Sequence, residues 1–559
     1  MSKYFTQGHQ QGHHRLAQFR NFRSAITVLA LVGMGALSSR QAMAQITLNA
    51  NDLLVSRTVY QGDASTVTVG QSLPGGGTAT ANGAYPTVFQ NETPDPSFGV
   101  TAPIFLDDVT TSGSLVSSIN ITSLAASQGV NLSSSFSSKS ELALNLSTDG
   151  SAVTFMGYIS PINNLDVSNS NTPNHVDSTN PVSSSFARAV AQIGANGTLS
   201  ITPVNAYSGN NGRAAILATN ANNQGSSYYY TVGNAGNGSG TEPTNVVNNT
   251  GVQMIATGSS GETTVVGAQQ GTPGSSNGFQ YGYSVTQNGQ TADKSGKDNN
   301  FRGLTDFNNT LYVTKGSGGN GINSVYQVGT AGTLPTLTSA SNTTISILPG
   351  FNTVLAKTGT SGPNPFGLWF ANSTTLYVAD EGDGKAADAP TSTFAGLEKW
   401  SFDGAKWNLD YTLQQGLNLG TNYSVSGSVT SANNVVTSGT YTAATDGLRN
   451  ITGKVNGDGT VTIYGVTSTV STNTDQGADP NKLVAVTDNL AYASGTQATS
   501  ESFSTLETAG YGQALRGVSF APSVVAVPEP GSVAMFIAGG VALFGVTRRS
   551  KLQKRGVRK

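Results

Sequence analysis

The chain has 559 residues, only 10% of them charged, with 68 glycines, no cysteine and a formal net charge of −2. Such a sparsely charged, Gly/Ser/Thr/Asn-rich composition favours strands and turns over helices. The lack of cysteine excludes disulfides, thiolate metal sites and thiol nucleophiles, so stability has to be found without them.

In chain order, Arg15, Arg20 and Arg23 precede a thirteen-residue apolar run, Ala25 to Leu37, and then the small-x-small site Ala42-Met43-Ala44. This is the pattern of a secretory signal, with 1–44 removed by signal peptidase and a mature start at Gln45. The run is short for a membrane span, which weighs against an uncleaved anchor.

The body reads as strands separated by turns. Leu142–Leu146, Asp149-Gly150 and Ala152–Met156 spell strand, tight turn, strand. The unit recurs with Arg213–Leu217 before Tyr228–Val232, Phe301–Leu304 before Thr310–Val313, Pro365–Phe370 before Thr375–Asp380, and Leu448–Ile451 before Thr460–Tyr464. Third and fourth strands follow at Ser324–Val328, Leu397–Phe402, Trp407–Tyr411 and Lys482–Val486. Leu515–Phe520 comes last, with nothing after it to pair with, whereas Leu53–Arg57 and Ile104–Leu106 open the body without an inner partner. Four-stranded units in series predict an all-β propeller over 45–522, closed by pairing the two ends in one blade. Six inner strands predict six blades, or seven if 80–140 or 252–285 conceals another.

Chemistry-bearing residues are few. His9, His13 and His14 lie in the signal, leaving His175, in a polar loop, as the one histidine of the body. A Ser-His-Asp triad would have that single base, and His-rich metal sites are excluded. Asp380, Glu381 and Asp383 are the densest carboxylates; following a second strand, they read as a solvated turn outside the channel, with weak Ca²⁺ binding as the alternative. Arg213, Arg302, Arg449 and Arg516 sit at equivalent places near the start of four inner strands, hence on one ring about the axis. Such a ring either binds an anion or fixes blade-to-blade contacts. Tyr228–Tyr230, Trp400 and Trp407 read as core residues or as sugar-stacking platforms. No phosphate loop, dinucleotide fingerprint or basic nucleic-acid patch is present.

The tail reads Val527-Pro528-Glu529-Pro530, then an apolar stretch within 531–547, then seven Lys and Arg in the last twelve residues. The prolines keep 523–530 extended, 531–547 is a short transmembrane helix candidate, and the basic residues of 548–559 fix that end in the cytoplasm. Twelve of the 28 Lys and Arg lie in 1–44 and 531–559, which hold no acid, so the body from 45 to 530 carries 16 cations against 30 anions. Such a body repels nucleic acid and anionic lipid.

Motif, short helix and basic tail in this order resemble the PEP-CTERM sorting signal of Gram-negative bacteria. The resemblance implies recognition by an exosortase, a transient stay in the inner membrane, cleavage near the motif, and release to the outer surface or extracellular matrix. A permanent single-pass anchor is the rival reading. Thr375–Asp380 followed by Gly396–Gly404, with phrases such as Leu515–Pro522, is similar to six-bladed propellers of the NHL and lactonase-like kind, of which the lactonase-like ones hold a channel Ca²⁺. The expectation is therefore a non-catalytic binding or structural module, with extracellular polysaccharide as a partner, or alternatively a metal-dependent lactonase-like hydrolase.

Overall fold

Alternating apolar and polar residues need two faces to bury, and four-stranded sheets stacked around an axis supply both. A computed structural model describes residues 46–523 except 92–98, 220, 224, 240–242, 272–278, 292–295, 359–361 and 472–476. The segment expected to be a secretory signal, with Ala42 and Ala44, and the expected sorting tail, with Val527, Pro528, Glu529 and Pro530, lie outside the described residues. Among those described, no helix is long and apolar enough to cross a membrane.

Six blades surround the axis. Blade 1 is ordered Gln513–Phe520, Leu53–Val59, Ile104–Val109, Leu115–Asn120 from the inside out. Blade 2 runs Asn145–Leu146, Ala152–Ile159, Arg188–Gly194, Leu199–Val204, with Leu132–Ser135 and Thr101–Ala102 attached to it. Blade 3 is Gly212–Ala218, Tyr228–Gly233, Gly251–Ala256, Thr264–Val266. Blade 4 is Leu304–Asp306, Leu311–Lys315, Ser324–Val328, Ile345–Ile347. Blade 5 is Pro365–Asn372, Thr375–Asp380, Gly396–Phe402, Trp407–Leu413. Blade 6 takes its inner strand from the second half of Val436–Val455, followed by Thr460–Ser471, Lys482–Asn489 and Ser504–Thr508.

The ends close the ring as the unpaired last strand predicts. Leu53 pairs with Phe520, Leu54 with Ser519 and Val55 with Val518, antiparallel. Each inner strand touches the next, including blade 6 against blade 1 and blade 1 against blade 2. Closure removes two inner sheet edges. The segments that could have held a seventh blade do other work. Residues 251–266 supply the outer half of blade 3, with a small ribbon of Gln269–Gly271 and Phe279–Tyr281 beyond it. Of 80–140, the described residues up to 91 join 60–79 in a cap, and 101–135 supply strands of blades 1 and 2.

That cap has its own core. Tyr60, Tyr85, Phe89 and Phe136 pack edge-on or stacked on one another, with ring centroids 5.5 Å apart for Phe136 with Tyr60 and for Phe136 with Phe89. Tyr85 meets Tyr511 at 4.9 Å. A long hairpin, Asn422–Thr430 with the first half of Val436–Val455, contributes Val429, Tyr441 and Ala443. An aromatic cluster of this size buries enough apolar surface to hold an insertion that has no sheet of its own.

Blade faces carry the expected alternation. Tyr228 and Tyr230 enter the core between blades 3 and 4, while Tyr229 enters the opposite one towards blade 2. Trp400 and Trp407 are buried between blades 4 and 5, Trp400 stacked on Phe351 at 4.0 Å. These aromatics are core residues with no face open to a sugar.

Candidate functional site

The inner strands approach so closely that small residues are required where they meet. Ala143, Ala214, Gly303, Gly367, Asn450 and Gly517 occupy this level. A Cβ on Gly303 would lie 2.1 Å from the Phe366 carbonyl oxygen, and one on Gly367 would lie 2.4 Å from that of Arg449. Asn450, the one larger residue, uses its side chain as a strut: its Oδ1 accepts the Val518 N–H at 2.7 Å. The space left on the axis, lined by Ala143, Asn145, Gly303, Gly367 and Asn450, is about 10 Å³. That is room for about one water. The channel is pinched shut at its waist.

The four arginines stand one residue before these small positions. All are buried, and each guanidinium is turned onto the chain itself. Arg213 donates to the Phe301 carbonyl at 2.9 Å and to Asn300 Oδ1. Arg302 donates to Ser140 Oγ. Arg516 donates to the carbonyls of Gly477, at 2.5 Å, and Phe136. Arg449 forms an ion pair with Glu381, Nε to Oε2, at 3.2 Å. Burial, with Arg302 adding to it, presses the Arg213 pKa down, against the pull of Glu141 and Tyr158. Three of the partners, Phe136, Ser140 and Glu141, belong to one segment. Residues 136–141 therefore lie across the mouth, and the ring latches them.

Asp380, Glu381 and Asp383 depart from the expected solvated turn. Asp380 ends its strand opposite Pro365, and its carboxylate accepts the Gly382 N–H at 2.9 Å and the Asn364 N–H at 2.5 Å. Asp380 and Glu381 are 1% and 5% exposed. The turn is folded inward because Arg449, on the next blade, pairs with Glu381, and because Gly382, at φ +82°, lies against Asp446. A Cβ at 382 would sit 2.5 Å from the Asp446 carboxylate. Strand position alone could not reveal this, since both partners come from the following blade. Asp383 remains partly open and pairs with Lys385 Nζ at 3.1 Å.

Burial would raise the Glu381 pKa, but Lys139, Arg449 and Arg302 outweigh it and hold the carboxyl below its ordinary range. Asp446 goes the other way. Burial pushes it up to about 7, with Asp383 and Glu381 adding to the effect and the Gly384 N–H and Arg449 opposing it. Its Oδ2 accepts the Gly384 N–H at 2.8 Å, whereas Oδ1 is buried and meets no donor.

These residues line a cleft of about 680 Å³ beside the plugged mouth, shared by Lys139, Ser317, Asn323, Glu381, Asp383 and Asp446. Ser317 Oγ, like Asp446 Oδ1, is buried without a hydrogen bond. Asn364 Oδ1 is engaged by Asn323 at 3.3 Å, so the cleft amides brace one another. Among the described residues, no group of three or more His, Asp and Glu side chains is placed to hold a metal ion. Asp380 spends both oxygens on backbone N–H groups, Glu381 faces a guanidinium and Asp383 an ammonium, so the donor set does not fit Ca²⁺.

His175 lies away from the mouth. Its Nε2 is 2.9 Å from Glu262 Oε2 and its Nδ1 2.8 Å from the Asn245 carbonyl, and it joins a loop of blade 2 to blade 3. No local pattern marks Lys139, Ser317 or Asp446 as cleft residues. They come from the 136–141 segment, a loop of blade 4 and the inner strand of blade 6, and only the closed ring brings them together.

The fold and site define a six-bladed β-propeller whose channel is shut at its waist and which carries a polar cleft at one mouth. No family model matches the chain, and no curated protein matches it. Among solved structures, it is similar to a mutant of NanB sialidase from Streptococcus pneumoniae, at 7% identity and a TM-score of 0.32, over 77% of this chain and 65% of that one. The chain thus spans just under two thirds of that sialidase's length. It is also similar to an ulvan lyase of polysaccharide lyase family PL25 bound to -[GlcA(1-4)Rha3S]-, at 11% identity and a TM-score of 0.25, over 82% and 97% of the two chains. At these values neither likeness bears on activity.

Proposed function

We propose that the chain is a non-catalytic binding module of the bacterial surface or extracellular matrix. In this reading it is exported through its signal, held briefly in the inner membrane, and sorted by an exosortase through Val527-Pro528-Glu529-Pro530. Its mouth cleft takes an uncharged stretch of extracellular polysaccharide. The observation that supports the ligand is the pair of buried oxygens without hydrogen bonds, Ser317 Oγ and Asp446 Oδ1, in a cleft whose charges are otherwise paired. Buried polar atoms are normally satisfied, and a hydroxyl-rich, neutral ligand satisfies such atoms without unpairing an ion.

Binding is tested by co-sedimentation of the exported protein with matrix polysaccharide from the producing cells, alongside Ser317→Trp, which fills the cleft. A tenfold or greater loss of retention in the variant supports the reading, and equal retention refutes the site. Sorting is tested by fractionating cells that make the chain with and without residues 531–559 and measuring the mass of the mature C-terminus. A secreted form that still carries the tail refutes the sorting assignment.

A further inference from the structure

Away from the mouth, blades 5 and 6 are joined by a buried polar cluster that the binding reading does not use. Lys399 lies in the third strand of blade 5 and Asp488 in the third strand of blade 6. Their side chains are 1% and 0% exposed, with Lys399 Nζ 2.9 Å from Asp488 Oδ2. Nζ also donates to the Asn489 carbonyl at 2.7 Å and to the Tyr411 hydroxyl at 3.0 Å. Two phenols point at the same carboxylate, Tyr411 at 2.5 Å from Oδ1 and Tyr377 at Oδ2.

Glu501 completes the cluster. Its Oε1 accepts the Asn489 N–H at 2.9 Å, its Oε2 is buried and meets no donor, and the carboxyl group lies against that of Asp488. Two carboxyl groups in contact, with no donor between them, share a proton. Burial and Asp488 accordingly raise the Glu501 pKa.

A desolvated amine, a carboxyl polarised by two phenols and an adjacent carboxylic acid are the parts that intramolecular amide formation needs. We propose that Lys399 and Asp488 condense to an isopeptide bond, with Glu501 as the proton relay. The ammonium first gives a proton to the Asp488 carboxylate. The Nζ lone pair then attacks Cγ, and the C–N bond forms. Glu501 protonates the departing Cγ oxygen and recovers a proton from Nζ, so it ends as it began. The C–O bond breaks and one water leaves. Of the three ammonium protons, one stays on the amide nitrogen and two depart in the water; nothing is oxidised or reduced. The driving force is the removal of two buried charges that are costly to keep desolvated. High effective concentration in the folded site supplies the rate. The link would tie two neighbouring blades across a loop of about ninety residues, the constraint on the unfolded chain that a disulfide gives where cysteine is present.

The test is proteolysis of the purified, exported full chain after denaturation, followed by mass spectrometry. The expected product is a branched peptide containing residues 399 and 488, lighter than its two arms by one water, with no cleavage after Lys399 by trypsin. Glu501→Gln should yield only the separate linear peptides and a lower unfolding temperature. Separate linear peptides from wild-type protein that is folded by circular dichroism would overturn the proposal and leave a buried ion pair. The wild-type digest decides the matter even if a variant does not fold.

Discussion

Gly517, in the inner strand of blade 1, lies against Leu142, in the lead-in to blade 2, so closely that a Cβ on Gly517 would be 2.4 Å from the Leu142 carbonyl oxygen. This contact is where the ring closes, and the same backbone-to-backbone approach recurs at Gly303 and Gly367.

Gly517→Ala should therefore destabilise the propeller by about 1–3 kcal/mol, because the methyl group meets backbone that cannot swing aside. Gly457 has nothing within 4 Å of the corresponding position. Gly457→Ala should stay within about 0.5 kcal/mol of wild type. Denaturant midpoints of the two variants check the contrast.

Closure can be broken outright. A chain ending at Gly512 lacks Gln513–Phe520 and leaves Leu53–Val59 with an open inner edge. It should unfold without the cooperative transition of a chain ending at Ser523 and should aggregate on concentration. Unfolding curves and light scattering on the two chains provide the comparison, and equal cooperativity would count against the ring.

Arg449→Ala leaves Glu381 buried with its direct ion-pair partner gone, a change expected to cost about 3–5 kcal/mol. The double variant Glu381→Gln with Arg449→Met removes both charges and should cost markedly less. Thermal unfolding of the two variants beside the wild type reads the difference.

The cleft also sets a pH dependence. The Asp446 pKa is about 7 in the folded protein, against about 3.9 in an unfolded chain. The folded state thus binds the extra proton between these values, so this group's contribution to stability falls as pH rises from about 4 to 7 and levels off above. Asp446→Asn should flatten that slope and be more stable than wild type at pH 8, by up to about 3 kcal/mol. Unfolding free energies at a series of pH values check it; an unchanged slope would show that Asp446 is ionised throughout.

Much of the architecture was readable along the chain because strands write a period of two into the sequence. The six inner strands, the Asp149-Gly150 turn and the pairing of Leu53–Val55 with Val518–Phe520 all follow from local pattern plus the need to close an edge. The placement of Asp380 and Glu381 did not follow. The pattern shows that they leave a strand, but whether they meet water or Arg449 depends on a strand about seventy residues later.

The amino-acid order by itself determined the repeating sheet units, the ring of arginines at equivalent places, and the lack of cysteine and scarcity of histidine that exclude thiol chemistry and His-rich metal sites. Tertiary structure alone decided that the channel is shut, that the arginines hold residues 136–141 across its mouth, and that Asp446 and Ser317 share a cleft. Periodicity is a property of neighbours in the chain. Burial, pairing and the space between inner strands belong to neighbours in space, which loop length and the packing of adjacent blades bring together.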